Sequence, residues 1–471
     1  MAALHNAMKK VTAVARRKIA LILILVGMMV LILSPWKEPS RVQTAIPAVA
    51  VPQTEPTFVS EPVELAKPAR LSVAVAMEEK AFQALAEQNV DFRKRHRDIT
   101  VTLTRVDPDN AYRYFRRASE MEEAADVMLL NSDWVSEFAA SGYLLPVEAA
   151  FVGKAEAEQF DALIAPVKWN DYKWGVPLDF DPYVLVWNET LLEQWLGSGV
   201  ALPLTIEQWG AVATKSAETF DNPVFLDEQQ DSDATRPASG PIGWLSIDPN
   251  DPYALLSWLE NAAGVRTDTL WTDGGESWAA TPLGNALELF EAYRTGVRYA
   301  SSAATVWDQL YDGETLVAVV PYSTAMGLMD DDDSHPSIQL KLDHSSWKLP
   351  YVWPRGMSYV LSSGTTVEEA AMTWISEMTD ASIQSANEKR LGRLPVYRSI
   401  YDSDTGKLSN LLPSRGGQAF PNQASSMGGP ELTGRLLQLK SLWQQFAAGQ
   451  LSIDDWKRSW SASLSDFKRN D

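Results

Sequence analysis

Residues 71–104 set the terms for the fold. LSVAVAM (71–77) places Leu71, Val73 and Val75 in alternation with smaller residues, the period-2 signature of a strand. Residues 79–95 then bring Phe82, Leu85, Ala86 and Phe92 near helical spacing, and Ile99, Val101 and Leu103 alternate with Thr100, Thr102 and Thr104 in a second strand. A strand, a helix and a strand in this order need a sheet with helices packed on its face. The pattern recurs. ADVMLL (125–130) is a short apolar run, and NSDWVSEFAASG follows with Trp134, Val135, Phe138 and Ala139 on one side of a helix that Gly142 stops. TLVAVV (315–320) reads as a fully buried strand ended by Pro321. The chain is therefore α/β, and in open α/β sheets ligands collect at the carboxyl ends of strands. That rule puts Glu78, Glu79, Asp133 and Trp134 at the functional edge.

The helices between these strands carry their own punctuation. Asn188 can cap a helix holding Leu191, Leu192, Trp195 and Leu196, with Gly197 as its stop. PLTIEQW supplies a capping box, Thr205 with Gln208 three residues on, and Leu204 and Trp209 are placed as a hydrophobic staple. EEAAMTWISEM (368–378) is amphipathic, and Leu432 to Phe467 reads as two or more helices. At 471 residues the chain exceeds one ordinary core, so two lobes with appendages are expected.

The N-terminus has a different character. Lys9, Lys10, Arg16, Arg17 and Lys18 precede an apolar run from Ile19 to Leu33, a positive-inside pattern. The strict run is shorter than the ~20 residues that span a bilayer, and Trp36 with snorkelling Arg17 and Lys18 can extend it. Pro35, Trp36, Lys37 and Glu38 follow where a signal peptidase wants small residues, and Ala48-Val49-Ala50 lies far downstream. The expectation is a cytoplasmic basic segment (1–18), an uncleaved single-pass anchor (19–36) and a proline-rich linker (37–69); the alternative is a cleaved signal and secretion. Either places the rest of the chain outside the cytoplasm.

Composition and motifs exclude much chemistry. A formal net charge of -20 repels a phosphate backbone, so nucleic acid is not an expected partner. Cysteine is absent, which removes disulfides, thiolate nucleophiles, cysteine metal sites and a lipidated N-terminal cysteine. His5, His96, His335 and His344 offer no paired zinc spacing, and no Gly-x-Ser-x-Gly, HExxH or Walker sequence occurs. Asp330 to Asp333, with His335 and Asp343, lack the glycine and glutamate of a calcium loop and read as a solvated charged loop. No metal and no cofactor is expected. Asp179 and Asp181, alternate residues on the extended segment PLDFDPYVLVWNETLL, could share a face as a glycosidase pair would. Among the 18 tryptophans, Trp195, Trp209 and Trp374 sit on helical apolar faces and read as core. Trp134, Tyr253 and Tyr322 follow strand ends or helix-breaking prolines and are open to ligand contact.

In succession, EEKAFQALAEQNVDFRKRHRDITVTL, ADVMLLNSDWVSEFAASGYLLPVE, KWGVPLDFDPYVLVWNETLLEQ, PLTIEQW, GETLVAVVPY and GMSYVLSSGTTVEEAAMTWISEMT resemble the extracellular solute-binding proteins of ABC importers. The resemblance is to the family that includes the maltose/maltodextrin-binding protein, over residues 71–467. It implies a two-lobed periplasmic-binding-protein-like fold of type II with hinge crossovers. The lobes would be 70–180 plus about 345–395, and 181–344 plus about 396–471. A ligand would be closed between them, without catalysis. Carried over to this chain, Glu79 and Lys80 look like the Asp-Lys pair after the first strand that contacts sugar, Asp133 like the acid after the ADVMLL-type strand, and Asp181 like the acid before the Tyr-Asn strand end. Asp251 and Tyr253 look like the Glu-Pro-Tyr ligand pair, and Tyr322 matches the aromatic after proline. Trp353 and Arg355, near the hinge return, are further candidates. Trp134 stands where the maltodextrin binder has arginine, and Leu130 replaces an aromatic; these departures count against maltose itself and leave a carbohydrate or other polyol-like ligand.

The expected function is thus an extracytoplasmic carbohydrate receptor that delivers its solute to the transmembrane subunits of an ABC permease. The alternatives are a membrane-anchored sensor or surface binding protein without transport, and, behind these, a glycosidase.

Overall fold

The computed structural model describes residues 68–151, 159–221, 240–267, 270, 281–330, 338–348, 353–403, 408, 411 and 429–467. The basic segment, the apolar run, the linker up to residue 67 and the acidic stretch beyond Asp330 lie outside them. Among the described residues no helix is long and apolar enough to cross a membrane.

The strands, in chain order, are β1 (Ala69–Ala76), β2 (Ile99–Val106), β3 (Val127–Asn131), β4 (Leu144–Leu145), β5 (Lys168–Trp169), β6 (Tyr172–Lys173), β7 (Gly175–Phe180), β8 (Tyr183–Asn188), β9 (Leu245–Ile247), β10 (Val297–Tyr299), β11 (Val317–Pro321), β12 (Leu340–Asp343), β13 (Met357–Ser362) and β14 (Leu394–Pro395). They form two main sheets. The first runs β14-β7-β13-β3-β1-β2, with β4 beside β13; the second runs β10-β9-β11-β8-β12. Strands β1 and β2 pair in parallel from Ala69↔Ile99 to Ala76↔Val106, joined by the helix Glu79–Arg95, as the periodicity requires. Glu79 in the first turn of that helix and Arg93, Lys94 and Arg95 in the last complement its dipole.

Strand β3 begins two residues later than the apolar run suggests. Asp126 is held instead by Ser72, whose backbone N–H and hydroxyl both donate to its carboxylate at 2.8 and 2.6 Å, while Ser72 Oγ accepts from the Asp126 N–H. The capping box forms as read: Thr205 N–H donates to Gln208 Oε1 at 2.9 Å and Gln208 N–H to Thr205 Oγ1 at 3.3 Å. Asn188 caps its helix through the Leu191 N–H, and Gly197 closes it at φ 93°.

Helices cover both sheets on both faces, so four apolar clusters form the core. The largest, on the second sheet, stacks Trp187, Trp209, Trp244 and Trp258 with ring centroids 5.2 to 6.3 Å apart. Edge contacts of this kind add about 0.5–1.5 kcal/mol per pair beyond area burial. Much of the tryptophan load is therefore structural. Trp374 is fully buried under the first sheet, and Trp195 packs partly buried against the second.

Candidate functional site

Among the described residues the chain passes from one sheet to the other three times: between β7 and β8 at Asp181-Pro182, between β12 and β13, and after β14 toward the helices Glu431–Ala447 and Ile453–Phe467, which join the second sheet's core. Asp181 ties these passages together. Its side chain is buried, accepting from the Ser323 N–H at 2.8 Å and the Ser323 hydroxyl at 2.7 Å. Arg393, just before β14, lies 3.4 Å from its carboxylate; Arg355, just before β13, lies 3.8 Å away and donates to the Asp181 carbonyl. Each crossing thus contributes a charge, and the pairing offsets the cost of burying the acid.

Arg355 adopts φ 49°, the left-handed region that costs a non-glycine residue roughly 1–2 kcal/mol. Its contacts offset this: its guanidinium is 3.3 Å from Asp251 and 4.9 Å from the centre of the Tyr183 ring. Tyr183 in turn donates to Asp251 at 2.8 Å. Asp251 also caps the helix Pro252–Ala263 by accepting from the Tyr253 N–H, which fixes Tyr253 in the first turn. The Tyr253 hydroxyl donates to Asp133, which follows β3 of the other sheet, and Thr433 donates to the Asp133 carbonyl at 3.2 Å. Burial pushes the Asp133 carboxyl up to about 6, against the opposing effect of the Tyr253 hydrogen bond.

Between the sheets lies a cavity of about 1020 Å³. Residues at the carboxyl ends of β1, β3, β7, β9, β10 and β11 line it, as the α/β rule requires. Its walls combine rings (Tyr112, Trp134, Tyr183, Tyr253) with carboxylates (Glu78, Asp179, Asp248, Asp251). Burial chiefly raises the Asp248 carboxyl, and burial pushes Asp179 up to about 6. Among the described residues no group of three or more His, Asp or Glu side chains could hold a metal ion.

The sequence-predicted residues divide by position. Trp134, Asp181, Asp251, Tyr253 and Arg355 line the cavity, and Asp133 lies directly behind Tyr253. Glu79 and Lys80 are exposed and do not line it: Glu79 pairs with Arg105 at 3.1 Å, while Glu78 and Ala81 face the space. Tyr322 is 2% exposed and packs on Trp347; Trp353, also 2% exposed, donates to Thr267 and sets its edge against Tyr253. Both stand in the interior behind the cavity walls. Arg393, Asp248, Lys440 and Tyr359 line the cavity and carry no motif that sequence reasoning could have used.

A family profile of bacterial extracellular solute-binding proteins matches residues 88–413. The chain belongs to this family. Solved structures repeat the fold of this solute-binding protein over most of its length. The GacH receptor of Streptomyces glaucescens GLA.O, studied unliganded and with acarbose, is similar at TM-score 0.63 and 15% identity, covering 84% of this chain and 98% of that one. The maltose/maltodextrin-binding domain MalE from Bdellovibrio bacteriovorus, bound to maltotriose, is similar at TM-score 0.60 and 16% identity, covering 85% and 100%. The galacto-N-biose-/lacto-N-biose I-binding protein of Bifidobacterium longum, with lacto-N-biose, is similar at TM-score 0.60 and 13% identity, covering 85% and 97%. The two-lobed α/β architecture of this solute-binding protein is therefore the family's, and its binding domain works outside the cytoplasm.

Proposed function

We propose that this solute-binding protein is a carbohydrate receptor of an ABC importer, which holds an oligosaccharide between its lobes and presents the closed form to a permease. The carrying observation is the cavity: about 1020 Å³ at the junction of both sheets, walled by rings that can stack on sugar C–H faces and by carboxylates that can accept from hydroxyls. Its volume stands at the top of the roughly 300–1,000 Å³ range of small-molecule sites, which suits several sugar rings better than one. The saccharides bound by the similar structures support the same reading.

In this proposal Trp134, Tyr253 and Asp251 meet the ligand. Asp181 and Arg355 hold the hinge, Asp133 orients Tyr253, and Tyr322 and Trp353 brace the walls. Lobe 1 takes residues 70–180 and about 345–395; lobe 2 takes 181–344 and about 396–471. The apolar run 19–36 anchors the protein in the membrane, residues 37–69 span the distance to the domain, and no catalysis or cofactor is involved. The ligand favours closure because only the closed form lets both walls touch it.

A thermal-shift panel of neutral oligosaccharides, polyols, amino acids and peptides tests the proposal. A saccharide at about 100 times its Kd should stabilise the protein by roughly 2.7 kcal/mol. Stabilisation by peptides or amino acids alone would remove the carbohydrate reading.

A further inference from the structure

Beside the cavity, two helices of the second sheet's core reach across to a single acid on the first sheet. Asp133 is fixed just after β3: its N–H donates to Asn131 Oδ1 at 3.0 Å, while the preceding Ser132 donates its N–H to the Gly356 carbonyl at 2.8 Å and bonds to the Ser358 hydroxyl at 2.7 Å. Tyr253 is fixed on the opposite side by the Asp251 cap, and its ring packs edge-on against Trp353 of the same core. The Tyr253 hydroxyl donates to the Asp133 carboxylate, and Thr433, on the helix Glu431–Ala447, donates to the Asp133 carbonyl. With both ends held by their own sheet, these bonds break once the sheets part by more than about 1 Å. Asp133 is then returned to water. Closed, it is buried and no cation pairs with it among the described residues. The charged groups on the elements packed around it are engaged elsewhere: Glu137 with Arg116 and Tyr112, Arg355 with Asp181 and Asp251, Glu260 with Thr267, and Glu431 with Arg435 at 3.7 Å. Lys440, further along the helix of Thr433, acts on Asp248, and the turn Ala165–Val167 carries no titratable side chain.

We propose that Asp133, Tyr253 and Thr433 form a latch between the lobes that closes with uptake of a proton on Asp133, so that solute binding strengthens as the medium becomes acidic. This rests on the proposed closure around a ligand and adds its regulation. With the lobes apart, Asp133 stands in water and titrates in the ordinary carboxyl range. Closed, it exchanges water for one tyrosine hydroxyl and no counter-charge, which favours the neutral acid. Burial accordingly holds its carboxyl up at about 6, against the opposing Tyr253 hydrogen bond. The neutral acid still accepts from Tyr253 through its carbonyl oxygen, so the latch survives protonation. The closed form thus binds more protons than the open one. Its advantage is complete below about pH 4, falls as pH rises through about 6, and is absent at about pH 8. Between pH 8 and pH 5 the shift from 3.8 to about 6 corresponds to roughly 10-fold in the ratio of closed to open form.

The test is calorimetric titration of the full-length protein with maltotriose, lacto-N-biose and mannitol at pH 5 and pH 8. Each titration is run in two buffers of different ionisation enthalpy, which counts the protons taken up per ligand. A probe that binds the wild type should do so about 10-fold more tightly at pH 5, with close to one proton taken up there. Asp133→Asn should lose this dependence and this uptake. Tyr253→Phe removes the donor that favours the charged acid, so its pH dependence should extend to higher pH whatever its affinity. Asp179 and Asp248 also line the cavity with raised carboxyls, and the comparison with Asp133→Asn separates them. A pH dependence that Asp133→Asn keeps in full overturns the latch in favour of those acids. Equal wild-type affinity at both pH values, without proton uptake, overturns the latch and leaves the receptor function standing. Failure of all three probes to bind at either pH overturns both. If Asp133→Asn does not fold, Tyr253→Phe decides, and a pH dependence that does not move upward overturns the latch.

Discussion

Asp133 is a carboxyl in a place where charge is costly. Burial pushes it up to about 6 from the ordinary 3.8, and it is 5% exposed. An acid raised in the folded state favours folding when protonated: the stability it gives is complete below about pH 4 and is lost as pH rises through about 6. Asp133→Asn keeps an acceptor for Tyr253 and has no proton to lose. Its stability relative to wild type should therefore climb from near zero at pH 4 to as much as ~3 kcal/mol at pH 8, at 1.36 kcal/mol per pK unit. Denaturant titrations at both pH values measure this, and a difference that stays flat with pH would contradict the assignment. At this scale the sequence was legible only where backbone direction was. Glu78 is the extended cap before the helix, so it points into the cavity, whereas Glu79, the first helical residue, turns away by about 100°. Tyr322 likewise follows a strand end but is carried inward onto Trp347. Arg393 was illegible because its partner Asp181 lies 212 positions earlier, and only the fold brings them together.

Among the elements, local punctuation was the most readable. The Thr205 capping box, the Asn188 cap and the helix Glu368–Met378 follow from side chains a few residues apart. The crossings were partly readable, since Pro177 to Pro182 mark an extended approach, yet nothing local announces how the third crossing reaches the hinge. Gly392 does that work. It ends the helix Ala381–Leu391 at φ 68°, and a Cβ there would meet the Ser323 backbone at 3.2 Å. Ser323 is the residue that donates twice to Asp181, and Arg393 comes next in the chain. Gly392→Ala should cost roughly 2 kcal/mol from the left-handed backbone and the close approach together. It should also weaken saccharide binding by displacing the hinge. Urea denaturation and titration on one preparation check both, and unaltered stability would mean that the hinge tolerates a shift there.

For the whole molecule, the sequence conveyed the α/β class and two sheets because alternating patterns persist along most of the chain. It could not convey the lining of the cavity, to which Asp179, Asp251 and Arg393 come from parts of the chain far apart in sequence. Ligand is expected to draw the two lobes together about the crossing at Asp181. The chain has no cysteine, so introduced thiols label uniquely. Val90→Cys, on the exposed side of the helix Glu79–Arg95, and Ala211→Cys, exposed on the helix Ile206–Asp221, place one spin label on each lobe. Pulsed electron–electron distance measurements with and without a saturating neutral oligosaccharide then read the hinge directly. The distance distribution should be broad without sugar and become shorter and narrower with it; an identical distribution in the presence of a sugar that binds would rule out ligand-driven closure.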